Sequence, residues 1–223
     1  MESKRIAAER AVDFIKDGMI VGLGTGSTAY FAIRKIGQRV KEGLSIKAIA
    51  TSKQSENLAK ELGISLLPFA EIESIDITID GADEVDAEWN LIKGGGGALL
   101  REKIVASASK QLIIIIDESK LAEQLGAFPL PVEIVPFGYE MTIKKLRKQG
   151  ADPVLRTADN QTYLTDNGNY IVDCHFGKIT RAEELHQALN LIPGVVDNGL
   201  FIGMATLVIV GYQDGTVKEL LKM

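Results

Sequence analysis

The alternation of apolar runs with helix-spaced segments over residues 5–117 constrains the fold more than any other feature of this sequence. Strand-like runs lie at residues 19–23, 46–50, 65–68, 75–79 and 111–116, and helical patterns lie at residues 6–15, 29–40, 53–63 and 98–107. Strands that alternate with helices predict an α/β fold. Its centre is a Rossmann-like, mostly parallel sheet with helices on both faces.

The pattern changes after Gly126, where two prolines in Phe128-Pro-Leu-Pro-Val132 suit a linker or an edge strand. The order then becomes strand, helix, strand, strand, helix, strand up to residue 201, with a turn signal at Asp166-Asn-Gly168. This order predicts a smaller ferredoxin-like α+β domain. We assign residues 1–127 with 203–223 to an α/β catalytic domain and residues 128–202 to the small domain. In the returning segment we expect a strand at 206–210 and a short helix at 217–221.

Charge and composition exclude several classes of protein. A net charge of −5 over 223 residues opposes nonspecific nucleic-acid binding, which needs a dense basic surface. No apolar run approaches the roughly 20 residues of a membrane helix, and the charged residues 1–20 do not resemble a secretion signal. One cysteine and two histidines form neither an intramolecular disulfide nor a Cys/His metal cluster. We expect a cytoplasmic protein with no nucleic-acid or membrane partner.

Polar loops follow the predicted strands at residues 24–28, 51–53, 80–83 and 117–120. Because ligands bind beyond the carboxyl ends of strands in an open α/β sheet, these loops predict a crevice. Residues 22–28 lack the last glycine of the dinucleotide fingerprint, so a nicotinamide site is poorly supported. The hydroxyls of Thr25, Ser27 and Thr28 suit a phosphate or polyol loop, and a plain strand-to-helix turn with a Ser/Thr cap fits equally well.

Two carboxylates, Asp80 and Asp83, are separated by Gly81 and Ala82, which allow a tight loop. Neighbouring carboxylates tend to separate in pKa, so that one holds a proton while the other accepts one. Taken alone, this spacing favours the simpler interpretation of a turn in which an Asp caps a following helix. We expect three further acids nearby to be solvated: Glu84, Asp86 and Glu88.

Lys93 precedes four glycines at residues 94–97, which we call the glycine loop. Consecutive glycines persist mainly where backbone approaches a ligand or turns sharply. A cation beside such a loop suits oxyanion stabilisation or phosphate binding, and we favour this over a plain loop charge. Glu102, expected near a helix N-terminus, and Lys120, just past a strand end, are weaker candidates. A solvated ion pair with Arg101 or Lys103 is the alternative for Glu102.

Six short motifs span nearly the whole chain: Gly24-Thr-Gly-Ser-Thr-Ala29, Asp80-Gly-Ala-Asp-Glu84, Lys93-Gly-Gly-Gly96 with Arg101-Glu-Lys103, Phe128-Pro-Leu-Pro-Val-Glu133, Thr165-Asp-Asn-Gly-Asn169 and Ile192-Pro-Gly-Val-Val196. In this order they resemble the A-type ribose-5-phosphate isomerase family. The resemblance implies an aldose-ketose isomerase that interconverts D-ribose 5-phosphate and D-ribulose 5-phosphate through an enediolate. It implies a place in the non-oxidative pentose phosphate pathway, with no metal or other cofactor.

The resemblance also implies roles for individual residues. Glu102 matches the proton-transferring base. Our hypothesis from the chemistry is that Lys93 and neighbouring backbone N–H groups hold the oxyanion, and that Asp80 or Asp83 shuttles hydroxyl protons and helps to open the furanose ring. The implied substrate-binding residues are Thr25, Gly26, Ser27, Thr28, Gly81, Ala82, Gly94, Gly95, Gly96 and Lys120. A homodimer or homotetramer is implied, and we expect the small domain to provide subunit contacts.

Two other classes of function compete with this interpretation. One is a different enzyme on a similar fold, either an amino-sugar-phosphate deaminase or a coenzyme A transferase. A transferase would form a covalent thioester on a glutamate, which borohydride would trap. The other is a sugar-phosphate sensor of a transcription repressor, which would bind without turnover. Such a sensor normally carries a basic helix-turn-helix, and the 20 residues before the first strand do not provide one.

Overall fold

A computed structural model describes residues 1–221 of the chain. The chain divides into two compact units, the first made of Met1–Ala82, Arg101–Leu121 and Met204–Met223 and the second of Asp83–Leu100 and Ala122–Gly203. The second unit is larger than the predicted small domain, because it also contains residues 83–100 and 122–127 and residue 203. Strand pairing explains the difference, since the strands within residues 84–92 join a strand at residues 200–201.

The helices are α1 (Glu2–Val12), α2 (Ser27–Lys41), α3 (Lys53–Glu61), α4 (Leu99–Ser107), α5 (Tyr139–Lys148) and α6 (Ala182–Asn190), with 3-10 turns at Phe69–Glu71 and Glu118–Lys120. The strands are β1 (Ile20–Leu23), β2 (Lys47–Ala50), β3 (Ile77–Asp80), β4 (Glu84–Val85), β5 (Leu91–Ile92), β6 (Leu112–Asp117), β7 (Leu130–Ile134), β8 (Asp152–Leu155), β9 (Thr157–Ala158), β10 (Gln161–Thr162), β11 (Tyr170–His175), β12 (Val195–Asn198), β13 (Leu200–Phe201), β14 (Leu207–Gly211) and β15 (Val217–Leu221). No helix in the described part of the chain is both long enough and apolar enough to cross a membrane.

The first unit contains a six-stranded sheet in the order β15-β14-β6-β3-β1-β2. All neighbouring strands are parallel except the β14–β15 pair. Helices α1, α2 and α3 bury one face of the sheet, and Val105 of α4 packs with Ile49 and Ile75 in a separate cluster. The predicted Rossmann-like sheet is confirmed.

Two predictions for this unit are wrong. The segment 217–221 is a strand rather than a helix, because the turn between Tyr212 and Thr216 folds it back onto β14, which supplies its hydrogen-bond partners. The segment 65–68 forms only an isolated bridge between Leu66 and Ala48. In both places sheet pairing decides the conformation, and local apolar pattern does not reveal it.

The second unit contains an antiparallel sheet in the order β12-β7-β11-β8, with α5 and α6 in the connections. The predicted ferredoxin-like βαββαβ order is therefore confirmed. The predicted turn is present, since the Gly168 N–H donates to the Thr165 carbonyl at 2.9 Å. A core that includes Val132, Ile134 and Leu146 packs the helices onto this sheet.

Glu84 is buried, so the expectation that it is solvated is wrong. Its carboxylate accepts hydrogen bonds from the Gly126 N–H at 2.7 Å and from the Phe128 N–H at 2.6 Å. The chain that begins the proline-rich segment therefore provides the donors that allow this charge to be buried. Asp86 is half-buried and accepts from the N–H groups of Glu88 and Asn90, whereas Glu88 is exposed as predicted.

Candidate active site

The loop that follows β1, residues 24–28, is held by a carboxylate from the neighbouring parallel strand β3. Asp80 is 1% exposed, and its Oδ1 accepts hydrogen bonds from the Thr25 N–H at 3.0 Å and the Gly81 N–H at 2.8 Å. A Cβ atom on Gly24 would lie 2.2 Å from Asp80 Oδ1, so only glycine allows this approach. Asp80 is thus a backbone anchor of the loop, and no described helix follows it for it to cap.

The hydroxyl of Thr25 belongs to a cluster at the ends of β1 and β2. Thr25 Oγ1 lies 2.7 Å from Thr51 Oγ1 and donates to Ser52 Oγ at 2.9 Å. Ser55 Oγ donates to the Gly24 carbonyl at 2.6 Å, and Ser52 caps α3 by accepting from the Ser55 N–H. The cluster brings the predicted loops 24–28 and 51–53 together and fixes Thr25, while Ser27 is exposed and Thr28 half-buried in the first turn of α2.

One cation, Lys4, lies beside the N-terminus of α2. Lys4 Nζ donates to Ser27 Oγ at 3.0 Å and lies 3.9 Å from Asp117 Oδ2 at the end of β6. Burial raises the pKa of Asp117, but hydrogen bonds from Ser119 and the charges of Lys4 and Lys120 outweigh it, so the pKa lies below its ordinary value. Sequence reasoning missed Lys4, because nothing distinguishes it from the other charges of an amphipathic first helix.

Glu102 lies in the first turn of α4 and is 5% exposed. Glu102 is therefore not solvated, as the alternative of a solvated ion pair with Arg101 or Lys103 requires. A buried carboxylate at a helix N-terminus has its negative charge favoured by the macrodipole, and it is shielded from bulk water. These are suitable surroundings for a group that exchanges protons with a substrate.

In the second unit, Lys93 follows β5 and is 2% exposed, which excludes a plain surface charge. Its N–H donates to the Gly199 carbonyl at 2.9 Å, and its Nζ lies 5.5 Å from the centre of the Phe201 ring. The glycine loop that follows is closed by a hydrogen bond from the Gly97 N–H to the Gly94 carbonyl at 2.9 Å. A buried ammonium group at the entry to a tight glycine turn is a suitable anion-stabilising element.

Asp83 lies beside the glycine loop and is half-buried. Its Oδ2 accepts from the Gly95 N–H at 2.8 Å, and a Cβ atom on Gly95 would lie 2.6 Å from its Oδ1. The structure therefore joins Asp83 to the glycine loop in the second unit and Asp80 to loop 24–28 in the first. Among residues 1–221, no group of three or more His, Cys, Asp or Glu side chains is arranged to hold a metal ion.

The mostly parallel sheet with polar loops at its strand ends places the protein among α/β proteins with a Rossmann-like sheet. A family model for ribose 5-phosphate isomerase A (phosphoriboisomerase A) matches residues 47–215. The chain belongs to the ribose 5-phosphate isomerase A family, whose members are isomerases.

Curated relatives extend the match over the rest of the chain. A ribose-5-phosphate isomerase A from Bacillus cereus is 54% identical over 99% of this chain and 100% of its own length. One from Enterococcus faecalis is 51% identical over 96% of each. The chain is therefore similar to these relatives from end to end, including the segments that the family model leaves out.

Comparison with solved structures leads to the same family. The ribose 5-phosphate isomerase from Plasmodium falciparum has a TM-score of 0.95 at 43% identity, covering 98% of this chain and 97% of its own. A D-ribose-5-phosphate isomerase solved in complex with phospho-erythronic acid has a TM-score of 0.94 at 40% identity, covering 98% of this chain and 97% of its own. The family resemblance predicted from the six motifs is confirmed.

Proposed function

We propose that this isomerase interconverts D-ribose 5-phosphate and D-ribulose 5-phosphate through an enediolate, with Glu102 as the base. The observation that carries the substrate assignment is the similarity, over 99% of the chain, to a relative named for that reaction. The reaction moves one proton between C2 and C1 without net oxidation. It therefore needs a base, a group that stabilises an oxyanion and a group that binds phosphate.

Glu102 takes the C2 proton and returns it to C1. Its burial in the first turn of α4 supports this role, because exclusion of bulk water keeps the transferred proton from exchanging with solvent. Lys93 and the N–H groups of Gly94 and Gly96 hold the oxyanion of the enediolate, since the Gly95 and Gly97 N–H groups already donate to Asp83 and to the Gly94 carbonyl. The burial of the Lys93 ammonium group supports this assignment, since electrostatic stabilisation is stronger away from water.

The two aspartates take different roles in this proposal. Asp83 is the more exposed carboxylate, and we assign to it the exchange of hydroxyl protons and the opening of the furanose ring. Asp80 positions the backbone of loop 24–28, which its two hydrogen bonds to backbone N–H groups support. The phosphate binds at the N-terminus of α2 with Ser27, Thr28, Lys4 and Lys120. Gly26, Gly81 and Ala82 contribute backbone beside it.

The first experiment adds purified, EDTA-treated protein to ribose 5-phosphate without nucleotide and follows ketose formation. Replacing Glu102→Gln lowers kcat by roughly 100- to 10,000-fold with little change in KM, because the amide cannot accept the proton but keeps the shape of the side chain. The matched control is Glu88→Gln, an exposed carboxylate changed in the same way. Phospho-erythronic acid, a phosphorylated sugar acid whose carboxylate resembles an enediolate, checks that the Glu102→Gln site still binds.

Two results would contradict the proposal. Turnover of the Glu102→Gln variant near that of the wild type would remove Glu102 as the base. Saturable binding of ribose 5-phosphate to the wild type without any ketose would point to a sensor or to another sugar phosphate as the substrate.

We also propose that the protein acts in the cytoplasm as a homodimer or homotetramer. Exposed apolar side chains on the second unit support self-association there, since Phe137 is 94% exposed and Leu191 is 82% exposed. Size-exclusion chromatography followed by light scattering measures the mass of the assembly directly. A monomer at the concentrations of the activity assay would contradict this assignment.

A further inference from the structure

The carbonyl side of the glycine loop is held by a side chain that the sequence did not single out. Arg156, directly after β8, donates from Nη1 to the Gly94 carbonyl at 2.9 Å and to the Gly95 carbonyl at 3.1 Å. The Tyr163 hydroxyl donates to the next carbonyl, that of Gly96, at 3.4 Å. Three successive carbonyls of the loop therefore face Arg156 and Tyr163.

Arg156 is fixed in this position. Its Nε donates to Asp173 Oδ2 at 2.9 Å, and its Nη2 pairs with Asp173 Oδ1, so Arg156 forms a bidentate ion pair with a side chain of β11, the strand that pairs with β8. The side chains are only 15% and 22% exposed. The Tyr163 ring lies 5.8 Å from the guanidinium carbon, and the Tyr163 N–H donates to the Arg156 carbonyl at 3.0 Å.

The supporting segment is itself anchored through two of the sequence motifs. Glu133 on β7 is fully buried, and its Oε1 accepts from Thr165 Oγ1 at 3.0 Å and from Asn169 Nδ2 at 2.8 Å. Thr165 lies two residues after Tyr163. The Phe128–Glu133 and Thr165–Asn169 motifs thus hold the turn that follows Tyr163.

The position of the carbonyls determines the direction of the N–H groups. In a planar trans peptide, the N–H points opposite to the carbonyl of the preceding residue. With the Gly94 carbonyl on Arg156, the Gly95 N–H points away from Arg156, and it meets Asp83 Oδ2 at 2.8 Å. With the Gly95 carbonyl also on Arg156, the Gly96 N–H is directed away from Arg156 as well.

We propose that Arg156 is a positioning residue that orients the Gly94 and Gly95 peptide groups, so that the Gly95 N–H holds Asp83 and the Gly96 N–H faces the reacting sugar phosphate. This inference rests on the proposed function of the glycine loop. The physical need is clear, because glycine peptides rotate with little steric resistance, and a donor site built from them requires an external clamp. The guanidinium supplies that clamp, since its fork serves Asp173 and two carbonyls at once.

The test compares Arg156→Ala and Arg156→Lys with Arg147→Ala, an exposed arginine on α5. Both Arg156 variants lower kcat by roughly 10- to 100-fold, less than the loss expected from deleting an oxyanion donor outright. KM changes less than kcat. Lysine does not restore kcat, because a single ammonium group cannot reproduce the fork of the guanidinium. It keeps the ion pair with Asp173, so Arg156→Lys still tests the inference if Arg156→Ala fails to fold.

Two further readouts distinguish positioning from general stabilisation. Millimolar guanidinium restores part of kcat in Arg156→Ala, whereas sodium chloride at the same ionic strength does not. In protein labelled with 15N-glycine, the amide signals of Gly95 and Gly96 shift in both Arg156 variants and stay in place in Arg147→Ala. The NMR measurement needs no turnover, so it tests the clamp even if ribose 5-phosphate is not the substrate.

The inference is overturned if the Gly95 and Gly96 signals are unchanged in the Arg156 variants. It is also overturned if kcat stays within about twofold of the wild type, which is below the effect expected for misplaced donors. Absence of ribose 5-phosphate turnover by the wild type would contradict the proposed function and leave the NMR result to decide the role of Arg156.

Discussion

Replacing Thr25→Val tests whether the Thr25 hydroxyl serves the protein or the ligand. From the sequence we expected this hydroxyl among the substrate donors, whereas in the structure it lies within hydrogen-bond distance of Thr51 and Ser52. Valine keeps the branched shape and nearly the same volume, so the substitution removes the hydrogen bond with little change in packing. The matched control is Thr28→Val, the same change at a half-buried threonine whose hydroxyl makes no hydrogen bond within residues 1–221.

The expected loss of stability follows from counting hydroxyl protons. Thr51 donates to the Leu23 carbonyl, Ser55 to the Gly24 carbonyl and Ser52 to Ser55 Oγ, so none of these protons is stranded when Thr25 is changed. The variant loses one hydrogen bond and leaves no buried donor unsatisfied. The free energy of unfolding therefore falls by about 0.5–1.5 kcal/mol. For a chain of this length, that is a decrease in Tm of about 1–6 °C.

Thermal unfolding of both variants, followed by circular dichroism, and steady-state kinetics with ribose 5-phosphate give the answer. Thr25→Val should lower Tm and leave KM nearly unchanged. Thr28→Val should change the free energy of unfolding by no more than about 0.5 kcal/mol, as for a surface substitution, and so leave Tm nearly unchanged. It should raise KM if the Thr28 hydroxyl contacts phosphate. An unchanged Tm with a raised KM in Thr25→Val would refute the reasoning, because it would assign the hydroxyl to the ligand.

Two further predictions concern titratable groups outside the site. Burial within β11, with the charge of Asp173, raises the pKa of Cys174 to about 12. A disulfide reagent at pH 8 should therefore modify the thiol only after the protein is unfolded in urea. Rapid modification of the native protein would contradict this prediction. A hydrogen bond from the Ile20 N–H and then the Lys110 side chain lower the pKa of Asp76. Because the folded pKa is depressed, the stabilisation by Asp76 is complete above the ordinary value of about 4 and is lost as pH falls through the folded pKa. The difference in urea midpoint between wild type and Asp76→Asn should therefore be present at pH 7 and close in more acidic solution.

The sequence predicts secondary structure best where the residues of an element have local partners, or where the whole element is buried. The apolar run at 111–116 specifies β6, because a strand buried on both faces needs no alternation. The helix predicted at 217–221 is a strand, because β14 supplies partners from outside the segment. Glu84 resembles a surface acid in the sequence, since the two N–H groups that make its burial possible lie more than 40 residues away.

The same limit applies to the candidate site. Lys93 is recognisable as a candidate because lysine beside four glycines is an unusual combination, whereas hydroxyls at a helix start serve as ordinary caps equally often. Lys4, proposed to bind phosphate, and Arg156, which holds the glycine loop from behind, are not recognisable, since both lie among ordinary charges and only their contacts distinguish them. A single sequence carries no signal for such positions, because the contact is made by the fold.

The two glycine-rich segments are built on one physical principle, although they lie in different units. Asp80 of β3 accepts from backbone N–H groups and fixes loop 24–28, while Arg156 donates to backbone carbonyls and fixes the glycine loop. Glycine permits a close approach in each loop, of Asp80 to Gly24 and of Asp83 to Gly95, and the charged side chains then remove the conformational freedom that glycine brings. High glycine content here therefore indicates a main chain oriented by side chains outside it, and substitutions at Asp80 or Arg156 should disturb the loops more than substitutions at solvated charges near them.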